Sequence, residues 1–266
     1  MDLRKKAGSG IAVCFVAAIL FLPGFRAYAG SLRVIPSSIF LDSETKTASV
    51  RIKNGGQEKM KIQIEVYSWT QDSNGNDVQG ETKEFVAFPK MLKIDGDSER
   101  TIRVGYRGKP FLKERAYRLY VRELPARNSS GGQVVRFSLR IGLPVFIAPA
   151  RGGGKEIQEV ENVSVIRNKF AVTVKNRGNI HLKIKLITVD GMNSSGKKIF
   201  TREAKGWYVL PGVSKPFNVK MSRNECLKLS NLKVTVETVK TSTSREVAVS
   251  RSWCEQLRET SEKPEP

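Results

Sequence analysis

The residue types that could perform covalent or metal chemistry are few in this 266-residue chain. It has one histidine, His181, and three cysteines. A single histidine excludes multi-histidine metal sites, and neither a G-x-S-x-G elbow nor an H-E-x-x-H helix occurs. The period of the strand that follows His181 predicts that its side chain faces solvent, and the acidic residues are dispersed. The sequence therefore favours a protein that is not an enzyme and needs no cofactor or metal.

Whether the cysteines form a disulfide depends on whether the protein is exported, and the first 29 residues indicate that it is. A basic head at residues 4–6 precedes an apolar run at 11–22 and the small-residue ending Ala27-Tyr28-Ala29. This order predicts a secretory signal peptide at 1–29, cleaved after Ala29. Twelve apolar residues are too few to cross the ~30 Å hydrocarbon core, so we expect no membrane insertion after cleavage.

Export leaves two cysteines, since Cys14 departs with the signal peptide. The remaining pair, Cys226 and Cys254, is typical of one disulfide in an oxidising compartment. We expect it to join late strands of the C-terminal half. Two buried free thiols are the alternative.

The formal charge is +20, which raises the question of nucleic-acid binding. Lysine and arginine are spread along the chain and mostly alternate with apolar residues, and no basic block of five residues occurs. No nucleic-acid-binding motif is visible. We therefore expect no nucleic-acid partner; a solvated basic surface is favoured, with acidic protein partners as a second possibility.

Apolar and polar residues alternate with a period of two through most of residues 30–258, and helical periodicity is scarce. This pattern is typical of strands with one buried face, and Asn/Gly/Asp turns separate them. The glycine-rich segment 150–154 lacks a strand pattern. We predict an all-β protein with two β-sandwich domains, at 30–149 and 155–258, joined by a linker at 150–154 and followed by a polar tail at 259–266.

The two halves share a short repeat. The segment from Val50 to Ile64 aligns without gaps onto Val172 to Leu186, and a valine, a Lys-Asn pair, a glycine and a Lys-Ile pair match. Each segment is expected to form two strands joined at an Asn/Gly turn. Alternation common to all strands explains part of the match, but the repeat favours two sandwiches of the same type.

The longest strand pattern covers residues 134–147. Its odd-numbered positions are apolar: Val135, Phe137, Leu139, Ile141, Leu143 and Val145. Alternation alone favours a strand that lies on its own core. Its length, against a common value of about five to six residues, and its place directly before the linker favour an edge strand offered to another protein.

Several segments resemble the periplasmic pilus-assembly chaperones of the bacterial chaperone–usher pathway, and most closely the archaic branch of that family. They are Ile35-Pro36, Ser38 to Leu41, Val50 to Asn54, Trp69 to Gln71, Phe88-Pro89, Arg100 to Val104, Glu114 to Pro125 and Leu143 to Pro149. The block from Glu114 to Pro125 is the most specific. The C-terminal half matches mainly in pattern.

The resemblance implies two immunoglobulin-like domains in a boomerang arrangement, a periplasmic location and two partners, pilin subunits and an outer-membrane usher. It implies donor-strand complementation, in which the long strand completes the sheet of a subunit that lacks its last strand. Each side chain buried in the subunit groove would contribute roughly 1.5–3 kcal/mol before ordering costs. The implied subunit-binding side chains are Val135, Phe137, Leu139, Ile141 and Leu143.

One feature of better-known members is missing. They hold the carboxylate at the subunit's C-terminus with two basic residues, but the matching positions here are Ser38 and Pro144. Arg118 is the predicted substitute, because it alternates with core residues on the strand expected to pair with the long strand. Its planar guanidinium can bind a carboxylate through two hydrogen bonds. A solvated or structurally paired arginine is the alternative.

A different function class also fits two secreted sandwiches. The chain would then be a structural or adhesive subunit of a fibre. Such a subunit should lack a complete sheet or carry a spare N-terminal donor segment, and the sequence shows neither clearly.

Overall fold

The computed structural model describes residues 32–125, 138–150 and 153–257. The predicted signal peptide, the predicted donor residues Val135 and Phe137, and the polar tail lie outside these ranges. The strands of the N-terminal half are β1 (Leu32–Ile35), β2 (Ile39–Leu41), β3 (Thr47–Asn54), β4 (Met60–Gln71), β5 (Asp77–Gly80), β6 (Phe85–Phe88), β7 (Met91–Ile94), β8 (Glu99–Tyr106), β9 (Arg115–Leu124) and β10 (Arg140–Ile147).

The C-terminal half continues the strand series and adds two short helices. Its strands are β11 (Gln158–Ile166), β12 (Lys169–Asn176), β13 (Leu182–Met192), β14 (Lys198–Lys205), β15 (Tyr208–Val209), β16 (Ser214–Val219), β17 (Asn231–Thr238) and β18 (Ser242–Ala248). The helices are α1 (Arg223–Cys226) and α2 (Arg251–Gln256). No helix in the described ranges has the length and apolar character needed to cross a bilayer.

Each half is a sandwich of two sheets. In the N-terminal half one sheet has the order β1-β3-β8-β6, and the other has the order β2-β10-β9-β4-β5, with β7 also paired to β4. In the C-terminal half the orders are β11-β12-β16 and β14-β13-β17-β18, with β15 paired to β13. Apolar side chains from both sheets of each half fill one core per half. The prediction of an all-β protein with two sandwiches is confirmed.

The repeat between the halves has a structural basis in two buried asparagines. Asn54 ends β3 and Asn176 ends β12, and both are fully buried. Each side-chain amide donates to the backbone carbonyl four residues later, and each side-chain oxygen accepts from the N–H of the glycine two residues later. The two turns are therefore held in the same way, because a buried amide must satisfy its own hydrogen bonds.

The structure joins Cys226 and Cys254 in a disulfide, as predicted. The expectation that late strands carry them is wrong, because Cys226 lies in α1 and Cys254 in α2. A capping box, in which the Ser222 and Glu225 side chains each bond the other residue's backbone N–H, starts α1. This Ser-x-x-Glu signal was visible in the sequence and was missed.

Replacing both Cys226 and Cys254 with alanine should lower the free energy of unfolding by about 3.5 kcal/mol. The bond closes a loop between residues 28 apart, and the chain-entropy relation gives this magnitude for such a loop. Denaturant unfolding of the oxidised parent and the double variant measures the difference. A loss below about 1 kcal/mol would contradict the prediction.

Candidate functional site

Strand β10 borders an open sheet edge. On one side it pairs with β9 along its whole length. On the other side the three-residue strand β2 covers only Val145–Ile147. Between residues 140 and 144, no strand in the described part of the chain pairs with that side. Half of β10 therefore offers unpaired backbone to a partner.

The hydrogen-bond pattern identifies the open backbone groups. The N–H of Glu123 donates to the carbonyl of Leu139 at 2.8 Å. Since alternate residues of an antiparallel ladder bond the same neighbour, the odd-numbered residues of β10 face β9 and the even-numbered residues face the open side. The open groups are the N–H and C=O of Arg140 and Gly142; the C=O of Pro144 is already used by β2, because the parallel pairing of Val145 with Ile39 makes it accept from the Ile39 N–H. Proline suits an edge because it has no N–H to leave unpaired.

The predicted subunit-binding side chains differ in burial. The prediction that the Leu143 side chain binds the subunit is corrected by its burial. Leu143 is 1% exposed and packs in the N-terminal core, so its side chain has no surface left for a partner. Ile141 is half-buried against the same core, and Leu139 is 39% exposed. The burial of the odd-numbered side chains thus decreases from Leu143 to Leu139. Among the described residues, Leu139 and Ile141 remain the candidates.

The opposite face of β10 is fixed to β9 by an aromatic contact. Gly142 lies beneath Tyr120, and a Cβ at this glycine would come within 2.7 Å of the ring. The guanidinium of Arg140 lies over the same ring, 3.7 Å from its centroid, and its Nη2 is 2.9 Å from Glu65 Oε2. These contacts hold the open edge in a defined position before any partner binds.

Arg118 lies on β9 directly opposite Pro144, and is therefore beside the open edge. Its guanidinium carbon is 3.6 Å from the centre of the Trp69 ring and 5.6 Å from that of Trp207. Arg118 is only 7% exposed. Burial lowers its pKa, and the nearby Asp77 carboxylate opposes this shift. The guanidinium still stays protonated at neutral pH.

The hydrogen-bonding capacity of Arg118 is unused within the described residues. Its nearest anion is Asp77, with Nη2 and Oδ2 3.6 Å apart, too far for a hydrogen bond. Asp77 instead accepts from Gln71 Nε2 at 2.9 Å and Trp207 Nε1 at 3.0 Å. The sequence prediction that Arg118 points away from the core agrees with the structure, but its burial beneath aromatic rings was not foreseen.

Contacts between the two halves position this arginine. A small cluster of Trp69, Ala116, Phe146 and Leu210 joins them. Gln71 uses both ends of its amide: Nε2 donates to the Tyr208 carbonyl and Oε1 accepts from the Leu210 N–H, each at 2.9 Å. Sequence reasoning missed these residues, and no local signal pairs residues that lie 139 positions apart.

The prediction that His181 faces solvent is wrong. Its ring stacks on Phe146 with centroids 3.6 Å apart, and its Nδ1 is 2.8 Å from Glu114 Oε1. His181 precedes β13, so the strand period does not govern it. It joins the halves and has no catalytic partner on the described chain, where no group of three or more potential metal ligands occurs either.

A family model matches the N-terminal half of the chain, whereas solved structures resemble both halves. Residues 31–152 match the family model described as "Pili and flagellar-assembly chaperone, PapD N-terminal domain". This range contains β1 to β10 and the open edge. No curated protein matches the chain.

Solved structures resemble the chain across both halves. A chain in the CsuC–CsuE chaperone–tip adhesion subunit pre-assembly complex of the archaic chaperone–usher Csu pili of Acinetobacter baumannii has a TM-score of 0.60 at 21% identity, with 81% of this chain and 97% of that chain covered. The YadV chaperone has a TM-score of 0.56 at 17% identity, with 82% of this chain and 98% of that chain covered. A chain in the Salmonella enterica SafA pilin–SafB chaperone complex has a TM-score of 0.53 at 16% identity, with 82% of this chain and 96% of that chain covered. At these identities the likeness establishes the two-domain fold.

Proposed function

We propose that this chain is a chaperone that binds pilus subunits and delivers them for assembly. The observation that carries the proposal is the match of residues 31–152 to the pilus-chaperone family model, because this half holds the open edge of β10. The activity is binding, so it requires no catalytic group, cofactor or metal. Nothing in the matches favours the alternative, a structural or adhesive fibre subunit.

The finer points of the proposal are the location, the second partner and the branch. The chain acts in the periplasm and passes subunits to an outer-membrane usher. It belongs to the archaic branch, which the likeness to the Csu complex supports at 21% identity. The domain boundaries at 30–149 and 155–258 with the linker 150–154 complete the proposed organisation.

The proposed binding mode is β-strand addition at the open edge. A subunit strand would pair with the N–H and C=O of Arg140 and Gly142. Leu139 and Ile141, and upstream of them Val135 and Phe137, would enter the subunit's apolar groove. Backbone pairing supplies affinity, and alternate side chains supply specificity.

The proposed carboxylate anchor is Arg118. It lies opposite Pro144, carries unused donors, and is buried where a hydrogen bond to an anion is strong. The Trp69 ring fixes the guanidinium plane, so a carboxylate would meet a donor pair that is already oriented.

Co-expression with a pilus subunit encoded nearby tests the function. The subunit should accumulate in the periplasm as a complex with the chain, and should be degraded when the chain is absent. Affinity purification followed by mass spectrometry measures both. Equal subunit levels with and without the chain would contradict the proposal, and recovery of the chain itself in assembled fibres would favour the subunit alternative.

A further inference from the structure

An acidic side chain, that of Asp77 at the start of β5, lies beside the guanidinium of Arg118. Their closest atoms, Asp77 Oδ2 and Arg118 Nη2, are 3.6 Å apart, which is within the range of an ion pair but too far for a hydrogen bond. Arg118 makes no other ion pair with the described residues. Asp77 is therefore the internal counter-ion of the proposed anchor.

The turn between β4 and β5 places Asp77 there. Asp72 Oδ1 accepts from the backbone N–H groups two and four residues later, and the resulting hairpin pairs Gln71 with Asp77. Trp69 precedes Gln71 by two residues and so shares this face of the sheet. The Arg118 side chain reaches Asp77 across the Trp69 ring.

Asp77 acts on Arg118 by charge and not by orienting it. The plane of the guanidinium is set by the Trp69 ring, which it covers at 3.6 Å from the centroid. The position of Asp77 is set by other donors, because Oδ1 accepts from Gln71 Nε2 at 2.9 Å and Oδ2 from Trp207 Nε1 at 3.0 Å. Removing the negative charge should therefore leave the guanidinium in place.

A carboxylate that bound Arg118 would be a second anion at the same cation. The two anions would repel each other, and burial of the guanidinium strengthens both the attraction and the repulsion. The subunit's carboxylate would thus bind less tightly than it would to a guanidinium without a counter-ion. Affinity differences of this kind act mainly on the dissociation rate.

We propose that Asp77 weakens the hold of Arg118 on the subunit's terminal carboxylate and thereby speeds release of the subunit. This inference rests on the proposed function, because a chaperone that delivers subunits must also let them go. Asp77 has the opposite effect to an anchor residue. Removing its charge should strengthen capture, whereas removing the charge of Arg118 should weaken it.

Isothermal titration with a synthetic peptide of the subunit's C-terminal residues, with a free or an amidated C-terminus, tests the inference. Asp77→Asn should bind the free-acid peptide about tenfold more tightly than the parent chain, since the partial exposure of Asp77 moderates the repulsion. Binding of the amidated peptide should change by less than about twofold. Asparagine keeps an oxygen that can accept from Trp207, so the variant should melt within about 4 °C of the parent.

Two controls separate the charge of Asp77 from other effects. Glu81→Gln removes an exposed negative charge about 13 Å further along the chain; Glu81 has no ion pair within the described ranges. It should change binding of either peptide by less than about twofold. Adding Asp77→Asn to Arg118→Met should leave binding of the free-acid peptide unchanged, because the effect requires the guanidinium.

Unchanged or weaker binding of the free-acid peptide by Asp77→Asn overturns the inference, and so does equal strengthening of both peptides. If the co-expressed subunit is still captured and protected in these cases, the proposed function stands. A parent chain that captures no subunit overturns both.

Discussion

Leu139→Glu is expected to abolish subunit capture while changing the free energy of unfolding of the chain by less than about 1 kcal/mol. Leu139 is 39% exposed, and its backbone carbonyl accepts from the Glu123 N–H of β9. In a subunit groove the same position would bury an unpaired carboxylate, which costs several kcal/mol. Capture should therefore weaken by at least about 100-fold. Co-purification of a co-expressed subunit and thermal melting of the free chain measure the two effects.

Leu143→Glu is the matched control on the same strand and the same face. Leu143 is 1% exposed in the chain's own core, so the charge should destabilise the free chain by about 4 kcal/mol or more. The two substitutions thus separate binding from folding. If Leu139→Glu melted as poorly as Leu143→Glu, residue 139 would be core. If it bound subunits normally, Leu139 would lie outside the interface.

Arg118→Met is expected to weaken subunit capture by at least about 30-fold. Truncating one partner of a buried charge pair typically costs about 2–5 kcal/mol. Methionine keeps an apolar chain against Trp69, whereas alanine would leave a cavity under the ring. Arg118→Lys keeps the charge but loses the planar pair of donors, so we expect an intermediate loss. Isothermal titration with a synthetic peptide of the subunit's C-terminal residues measures the affinities.

The carboxylate itself is tested by amidating that peptide. If Arg118 binds the terminal carboxylate, amidation should weaken binding to the parent chain by at least tenfold and leave binding to Arg118→Met unchanged. Arg122→Ala, on the same strand and face but solvent-exposed, should behave as the parent. Equal effects of amidation on parent and Arg118→Met would remove Arg118 from the anchor, because no coupling would exist between the two groups.

The strands and the repeat were predictable because they depend on local chemistry. A period of two places alternate side chains on opposite faces whatever the rest of the chain does. The Asn/Gly turns are partly local, since Asn54 and Asn176 each bond atoms within four residues, although each amide also donates to a carbonyl more than 30 positions away. The disulfide followed from the even number of cysteines and the predicted export. The helices that carry the disulfide were missed because each has six residues or fewer.

The different burial of Leu139 and Leu143 shows what the period of a strand cannot predict. Both are apolar, odd-numbered and on one face, so the sequence determined their direction. Whether that face is covered depends on how far the opposing sheet extends, and it covers residue 143 but leaves residue 139 partly open. Coverage is a property of two packed sheets and no single strand encodes it.

The surroundings of Arg118 and His181 were likewise decided only by tertiary structure. The sequence predicted an arginine on the outer face of a strand and a histidine whose side chain faces solvent. Trp207 and Phe146, which stack on them, come from the opposite half of the chain. Such contacts depend on how two separately folded cores dock, and the side chains involved follow no common period. The sequence therefore determined the two sandwiches and the strand with the open edge, while docking of the halves determined which cation is buried beside that edge.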